Sequence, residues 1–308
     1  MPINFSHVFF TYHPKSPFQS AALKDINITL PEHRFVALVG RTGSGKSTFV
    51  QLINALLSPT DGFVQVGDFI NHPEKAKKAP KGLSKEEKKA WKAEQKRIQQ
   101  KHRSKDIKAL RKRIGLVFQF PEYQLFEETV EKDVAFGPKN FGDSKEEALK
   151  KAHQALKEVG LDDSFFTRSP FDLSGGEKRK VAIAGILAAA PEVLIVDEPT
   201  AGLDPAAAKD TMALFQKIEQ AGTSVFLVTH DMDLVAQYAD EVIVLENGQV
   251  VKQCAPSELF GQDLTQYSLQ NPHVFDFALR LEKRGLRIDT SSLRDVDDLA
   301  NAIMEAKR

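Results

Sequence analysis

A chain of 308 residues with 42% apolar content can fold one large domain plus an extension, and its 42 basic and 42 acidic side chains leave a net charge of zero. No stretch approaches twenty consecutive apolar residues, so no membrane-spanning helix is expected, and the N-terminus lacks the apolar core and basic flank of a secretory signal; a cytosolic protein is expected. The single cysteine, Cys254, rules out an internal disulfide and reads as a small buried or half-buried apolar residue.

In chain order, the first strong signal is an apolar run at 35–39, then Gly40-Arg41-Thr42-Gly43-Ser44-Gly45-Lys46-Ser47, then an amphipathic stretch at 47–57. Strand, loop and helix in that order fit the phosphate-binding pattern G-x-x-x-x-G-K-[ST]. Its glycines let successive N–H groups point inward at phosphate oxygens, and the helix opening at Lys46 adds its positive end. The loop residues and Thr48 are therefore nucleotide-binding candidates; Lys46 is expected on the β and γ phosphates of ATP, and the Ser47 hydroxyl on Mg²⁺.

A hairpin-like segment at 62–68 leads into residues 74–113, which carry seventeen Lys or Arg against five Asp or Glu. This reads as an insertion at about 73–112. Ser84 and Glu87 have capping-box spacing, and Trp91 and Ile98 are the few apolar anchors, so a solvated, partly helical arm is expected. A surface helix without a partner, a contact with anionic lipid headgroups and a contact with an RNA backbone all remain open.

The run at 114–118 reads as another strand. Ser144-Lys145-Glu146-Glu147 is a stronger capping box, followed by Leu149, Ala152, Leu156 and Val159 at helical spacing until Gly160, so about 120–190 reads as a helical subdomain. Near its end, Leu173-Ser174-Gly175-Gly176-Glu177 has no use in a self-contained phosphate site.

Residues 193–197 form a buried-strand run with Asp197 at its C-terminal mouth, where that carboxylate is expected as a Mg²⁺ partner one layer behind the direct ligands. Glu198 points to the other face of the strand end and is the candidate general base for the water attacking the γ-phosphate. A further strand at 224–228 ends in Thr229-His230. Residues 241–251, with Asn247-Gly248 at the centre, read as a hairpin. Two short amphipathic helices close the sequence, one opening at Asn271-Pro272 and closing at Gly285, the other after Ser291-Ser292 with Leu293, Val296, Leu299 and Ile303. They could cover the domain or pair with a partner subunit.

Leu173 to Glu177, together with the order of the other motifs, resembles the ATP-binding cassette (ABC) ATPases over about residues 3 to 250. The resemblance implies an α/β P-loop NTPase fold at 1–250, with an antiparallel β subdomain, the helical signature subdomain and an α-helical extension at 251–308. It implies a dimer in which Ser174, Gly175, Gly176 and Glu177 act in trans, at a helix start facing the γ-phosphate held by the partner. Glu177 stands where many relatives have glutamine. The resemblance further implies that Tyr12 stacks on adenine (packing of an edge-strand aromatic on the core is the alternative). It places Gln119 on Mg²⁺ and the attacking water, His230 on the γ-phosphate, and Asp204 in a loop that contacts the partner.

The segments 117–130 and 133–138, Arg179-Lys180-Val181-Ala182-Ile183-Ala184-Gly185 and Thr200-Ala201-Gly202-Leu203-Asp204-Pro205 resemble the ATPases of energy-coupling factor transporters. Phe120 with Phe126-Glu127-Glu128-Thr129-Val130 resembles the second of their two paralogous ATPase subunits. The implied partners are the paralogous ATPase, as a heterodimer, a transmembrane coupling subunit and a substrate-binding membrane subunit. The implied activity is ATP hydrolysis driving import of vitamins or transition-metal ions from the cytoplasmic face of the membrane, as a peripheral protein. Between 122 and 133, five acids (Glu122, Glu127, Glu128, Glu131, Asp133) face one base, Lys132, beside Tyr123, Leu125 and Phe126, so Glu122, Glu127 and Glu128 are expected to line a groove for a cationic membrane-subunit helix. The alternatives are the ATPase of another ABC importer, or a soluble nucleic-acid-associated ABC ATPase. The insertion is too short for the coiled coil of repair members, and one signature does not fit the two-cassette translation members, so no nucleic acid is expected. The cargo is chosen by another polypeptide.

Overall fold

The computed structural model describes residues 1–72, 82–99, 104–260, 263–290 and 293–306. The first half runs β1 (Ile3–Tyr12), β2 (Ser20–Leu30), β3 (Phe35–Val39), α1 (Lys46–Ile53), β4 (Asp61–Val66), β5 (Phe69–Asn71), α2 (Lys85–Gln99), α3 (Ser104–Arg113), β6 (Ile114–Val117), α4 (Val130–Phe141) and α5 (Lys145–Glu158). The second half runs α6 (Gly175–Leu187), β7 (Val193–Asp197), α7 (Pro205–Gln220), β8 (Ser224–Val228), α8 (Met232–Tyr238), β9 (Glu241–Glu246), β10 (Gln249–Cys254), α9 (Pro256–Phe260), α10 (His273–Glu282) and α11 (Val296–Ala306).

Two sheets result. One is antiparallel with order β2-β1-β4-β5; the other has order β10-β9-β3-β8-β7-β6 and is parallel except at β10. All five residues of β3 and of β8 are buried, the pattern of strands covered on both faces. Their alternation sorts them between cores. Val36, Leu38, Phe226 and Val228 pack with α1 and the antiparallel sheet, where Phe5 and Phe49 stack at 4.2 Å. Phe35, Val225 and Leu227 face the other way, into a core shared with α4, α5, α6 and α7.

The helical subdomain is held by caps and small residues. Ser144 and Glu147 form the expected reciprocal capping box on α5. A Cβ on Gly137 would lie 3.2 Å from the Gly185 carbonyl oxygen, so glycine there lets α4 and α6 approach closely. The hairpin expected at 241–251 extends to Cys254. Beyond it, Leu259, Phe260, Leu264, Val274, Phe275, Ala278, Leu293 and Leu299 bury against Ala37, Val39, Val242 and Val244, so the C-terminal helices cover the sheet. The last helix opens at Val296 with Asp295 capping it, whereas Ser291-Ser292 lies outside the described residues.

The basic insertion needs a correction. Ser84 and Glu87 do cap α2, whose described side chains are mostly exposed, with Trp91 half-buried. Residues 73–81 and 100–103 and the Ile98 side chain lie outside the described residues. Helix α3, at the end of the insertion, is not part of a solvated arm. Leu110 is buried, Ile107 packs on the core, Arg111 donates to the Asn54 and Ala55 carbonyls, and Arg113 pairs with Glu192 and Asp68. Two apolar residues three apart and two bonded arginines were hidden among the lysines.

Candidate active site

Adjacent parallel strands β3, β8, β7 and β6 end on one edge of the sheet, and each end leads into one of the motifs. β3 leads to Gly40, β8 to Thr229-His230, β7 finishes at Asp197 before Glu198, and β6 is followed by Gln119. Register fixes this row: Leu38 is opposite Val228, Val228 opposite Asp197, and Val196 opposite Val117. A crevice at the carboxyl ends of such strands is where open α/β sheets bind ligands.

The phosphate loop is pressed against its surroundings. A Cβ at Gly40 would sit 2.2 Å from the Leu245 carbonyl oxygen, and Gly45, at φ 106°, caps α1 without a side-chain bond. The first N–H groups of α1 are thereby left to an anion. Gly43, by contrast, is open, with nothing within 4 Å of a Cβ. The Ser44 hydroxyl is buried and has no hydrogen-bond partner among the described residues, a polar orphan in the loop wall. Lys46 Nζ donates to the Gly40 and Arg41 carbonyls at 2.6 and 3.2 Å. Burial pulls its pKa down, while Glu198 and Asp197 push it back up. Arg41, Thr42 and Ser47 are exposed, and buried Thr48 shares a hydroxyl–hydroxyl bond of 3.0 Å with Tyr12. Tyr12, 37% exposed, also stands edge-on to Phe10 at 4.8 Å, so it packs on its own strand and still borders the loop.

At the β7 and β8 ends, Glu198 adopts φ 47°, and its N–H donates to the Val228 carbonyl. Its carboxylate lies 2.7 Å from His230 Nδ1 and accepts from Thr229 Oγ1 at 3.2 Å. Thr229 is fully buried and His230 largely exposed, so the threonine fixes the carboxylate while the ring is free to meet a ligand. Burial, with the charge of Glu198, raises the Asp197 carboxyl to about 6 against the pull of Lys46. Asp197 is half-buried, and a carboxylate with so little compensating charge around it is the type of oxygen donor that a hard divalent cation takes.

The signature residues stand apart from this row. Ser174 caps α6 in a reciprocal box: Glu177 Oε2 accepts from the Ser174 N–H at 2.8 Å and from its hydroxyl at 2.6 Å, which lowers the Glu177 pKa. Gly175 and Gly176 are exposed and would have nothing within 4 Å of a Cβ, so another molecule can approach their backbone. Asp204 caps α7, accepting from the Ala206 and Ala207 N–H groups at 3.0 Å.

The acidic groove is smaller than its sequence suggests. Glu122, in a short 3-10 turn (Pro121–Gln124), is bound by Arg179 through Nε at 3.1 Å and Nη2 at 3.3 Å, so it does not belong to a free acidic surface. Asp133 accepts from the Phe126 and Glu127 N–H groups, and Glu131 lies 2.8 Å from His153 Nε2. Glu127 and Glu128 remain, Glu128 held only by exposed Lys132, beside Tyr123, Phe126 and Phe136, which are all exposed. Thr229 and Arg179 stood in the sequence only as members of longer segments, without a role of their own. The place of Thr229 directly before His230 was a signal for its role; Arg179 offered none for its bonds, because its partners lie 20 to 57 positions away.

A family model described as ABC transporter matches residues 23–201. The energy-coupling factor transporter ATP-binding protein EcfA2 of Lactiplantibacillus plantarum is 48% identical over 308 residues, covering 99% of this chain and 95% of the relative. Its namesake in Lactococcus lactis subsp. lactis is 49% identical over 286 residues, covering 92% and 90%. Among solved structures, CbiO1 from Clostridium perfringens, part of the ABC transporter complex CbiONQ, aligns with TM-score 0.68 and 32% identity over 92% of this chain and 96% of that one. A dimeric ATP-binding cassette, MJ0796, in a post-hydrolysis state with ADP and Pi, aligns with TM-score 0.63 and 28% identity over 82% and 98%. Four motifs on one sheet edge, an exposed signature on a separate helix and relatives matched nearly end to end lead to one assignment: the chain belongs to the ABC transporter ATPases, among the ATP-binding subunits of energy-coupling factor transporters, on the side of the second paralogue.

Proposed function

We infer that this ATPase works as one half of a heterodimer with a paralogous subunit, peripheral on the cytoplasmic face of the membrane. It powers a transmembrane coupling subunit and a substrate-binding membrane subunit that import a vitamin or a transition-metal ion. The observation that carries the reading is the division of labour between faces: Glu198, His230, Asp197 and Lys46 gather at the strand ends, whereas Ser174, Gly175 and Gly176 are exposed at the start of α6.

The loop N–H groups and the start of α1 bind the ATP phosphates, and Lys46 turns from its own carbonyls to the β and γ oxygens. Mg²⁺, held by Ser47, Gln119 and Asp197, would neutralise charge on those oxygens. Glu198 takes the proton of the attacking water while Thr229 holds its second oxygen and His230 faces the γ-phosphate. Ser174 and the Gly175–Gly176 backbone serve the partner's nucleotide in trans.

Exposed Tyr123, Phe126 and Phe136 with Glu127 and Glu128 form the surface for a cationic helix of the membrane subunit. Co-expression with the membrane subunits and capture from detergent extract tests this. The wild-type chain is expected to copurify, and Glu127→Lys/Glu128→Lys to bind ATP normally yet lose assembly and uptake. Normal assembly by that variant would refute the surface.

A further inference from the structure

Arg179 is 4% exposed, and all of its donors are engaged. A guanidinium has five N–H groups. Nε and Nη2 donate to the two Glu122 oxygens, Nη1 donates to the Pro199 and Ala201 carbonyls at 3.3 and 3.1 Å, and Nη2 donates again to Ala201 at 3.2 Å. Its carbon lies 5.9 Å from the centre of the Phe120 ring. Phe120, at φ 56°, in turn covers Gly202, where a Cβ would lie 3.2 Å from the ring.

The partners are telling. Arg179 rides on α6, five residues after Ser174, about 7.5 Å along the helix. Glu122 comes three residues after Gln119, and Pro199 and Ala201 follow Glu198. The strands themselves are held by ladder pairing as far as Val117 and Asp197, and the Glu198 N–H adds one bond to the Val228 carbonyl; the segments that this one side chain ties down follow directly. We propose that Arg179 is a positioning residue for ATP hydrolysis, joining the signature helix, the segment after Gln119 and the loop after Glu198 into one body. Closing of the signature on the partner's nucleotide then aligns Gln119 and Glu198 together and moves the membrane-facing segment with them. Lysine cannot substitute, because one ammonium lacks the planar fork that reaches a carboxylate and two carbonyls at once.

The coupling half of this idea rests on the transport reading above; the hydrolysis half does not. The test uses the full complex in vesicles, with Arg179→Lys and Glu122→Gln, the isolated chains first being shown to bind ATP as wild type does. Both variants are expected to lower kcat about 2- to 30-fold, the usual range for residues along a coupling network, while KM for ATP stays within about 2-fold. Both are also expected to move less substrate per ATP hydrolysed. A merely structural role predicts a lower melting temperature with unchanged kcat, KM and transport ratio per assembled complex. That result, or a raised KM with unchanged kcat, would overturn the proposal. If the wild-type complex moved no substrate, the transport reading would fail, while kcat and KM would still judge Arg179.

Discussion

Glu198 is held from two sides, by Thr229 Oγ1 and against His230 Nδ1, before any nucleotide is considered. A positioned base contributes about 10²- to 10⁴-fold, so Glu198→Gln should keep ATP affinity, lower turnover by that amount and trap an ATP-bound dimer. Steady-state hydrolysis beside equilibrium ATP binding checks it; near-normal turnover in the assembled complex would remove Glu198 from the role. Lys46, on the proposed reading, differs in kind, since it would neutralise phosphate charge in ground and transition states alike. At this scale the sequence was a good guide where residues sit in one local motif, as from Gly40 to Thr48. It misled where a side chain's partner is remote. Counting acids from Glu122 to Asp133 suggested a broad groove, but Arg179, 57 positions on, had already taken the first of them.

Among elements, α6 connects most of the site. Its N-terminus is closed by its own box, with both the N–H and the hydroxyl of Ser174 bonded to Glu177, while the two glycines beside it stay open. Replacing Ser174 removes the cap hydroxyl at a cost of about 1 kcal/mol, but the position is exposed, so added bulk should be tolerated by this chain's fold and felt by the partner's nucleotide. With Ser174→Arg, ATP binding to the isolated chain should be unchanged and hydrolysis by the mixed dimer strongly reduced at the site built on the partner's phosphate loop. Loss confined to this chain's own loop would contradict the sandwich. The helix at 145–158 was legible because Ser144 announces its start with a glutamate three residues on; that at 175–187 was expected only from the resemblance, although Ser174 and Glu177 form the same box. Helix α3 was not, because the acceptors of Arg111 and Arg113 come from segments that only the fold brings near.

Among the described residues, three cores share the six-stranded sheet, and the last of them is completed by the C-terminal helices. Their amphipathic spacing was visible in the sequence; the surface they cover was not, because Ala37 and Val244 lie far away in the chain. Helix α10 is tied to α8 as well: the His273 N–H donates to Asp233 Oδ1 at 2.7 Å, and the ring Nδ1 meets the other oxygen. That bond raises the His273 pKa, with further help from the charges of Asp233, Asp231 and Asp276. A raised folded pKa means a contribution fully present below the unfolded value of about 6.5 and lost as pH climbs through the folded one. Hydrogen exchange at the start of α10, corrected for its intrinsic pH dependence, should quicken across that interval in the wild type and show no such step in His273→Ala.

Cys254 ends β10 inside the core that those helices complete. Burial, then the nearby charge of Glu258, pushes its thiol up to about 11 against the pull of Lys252. At neutral pH the reactive thiolate is then only about one part in 10⁴, and a maleimide has little access to it. The natural chain is thus already silent towards thiol-directed probes. A cysteine introduced at Tyr123 or Lys209, both on the surface, can carry a spin label or fluorophore as the sole reactive site, and the movement of the segment after Gln119 can be timed without altering another residue.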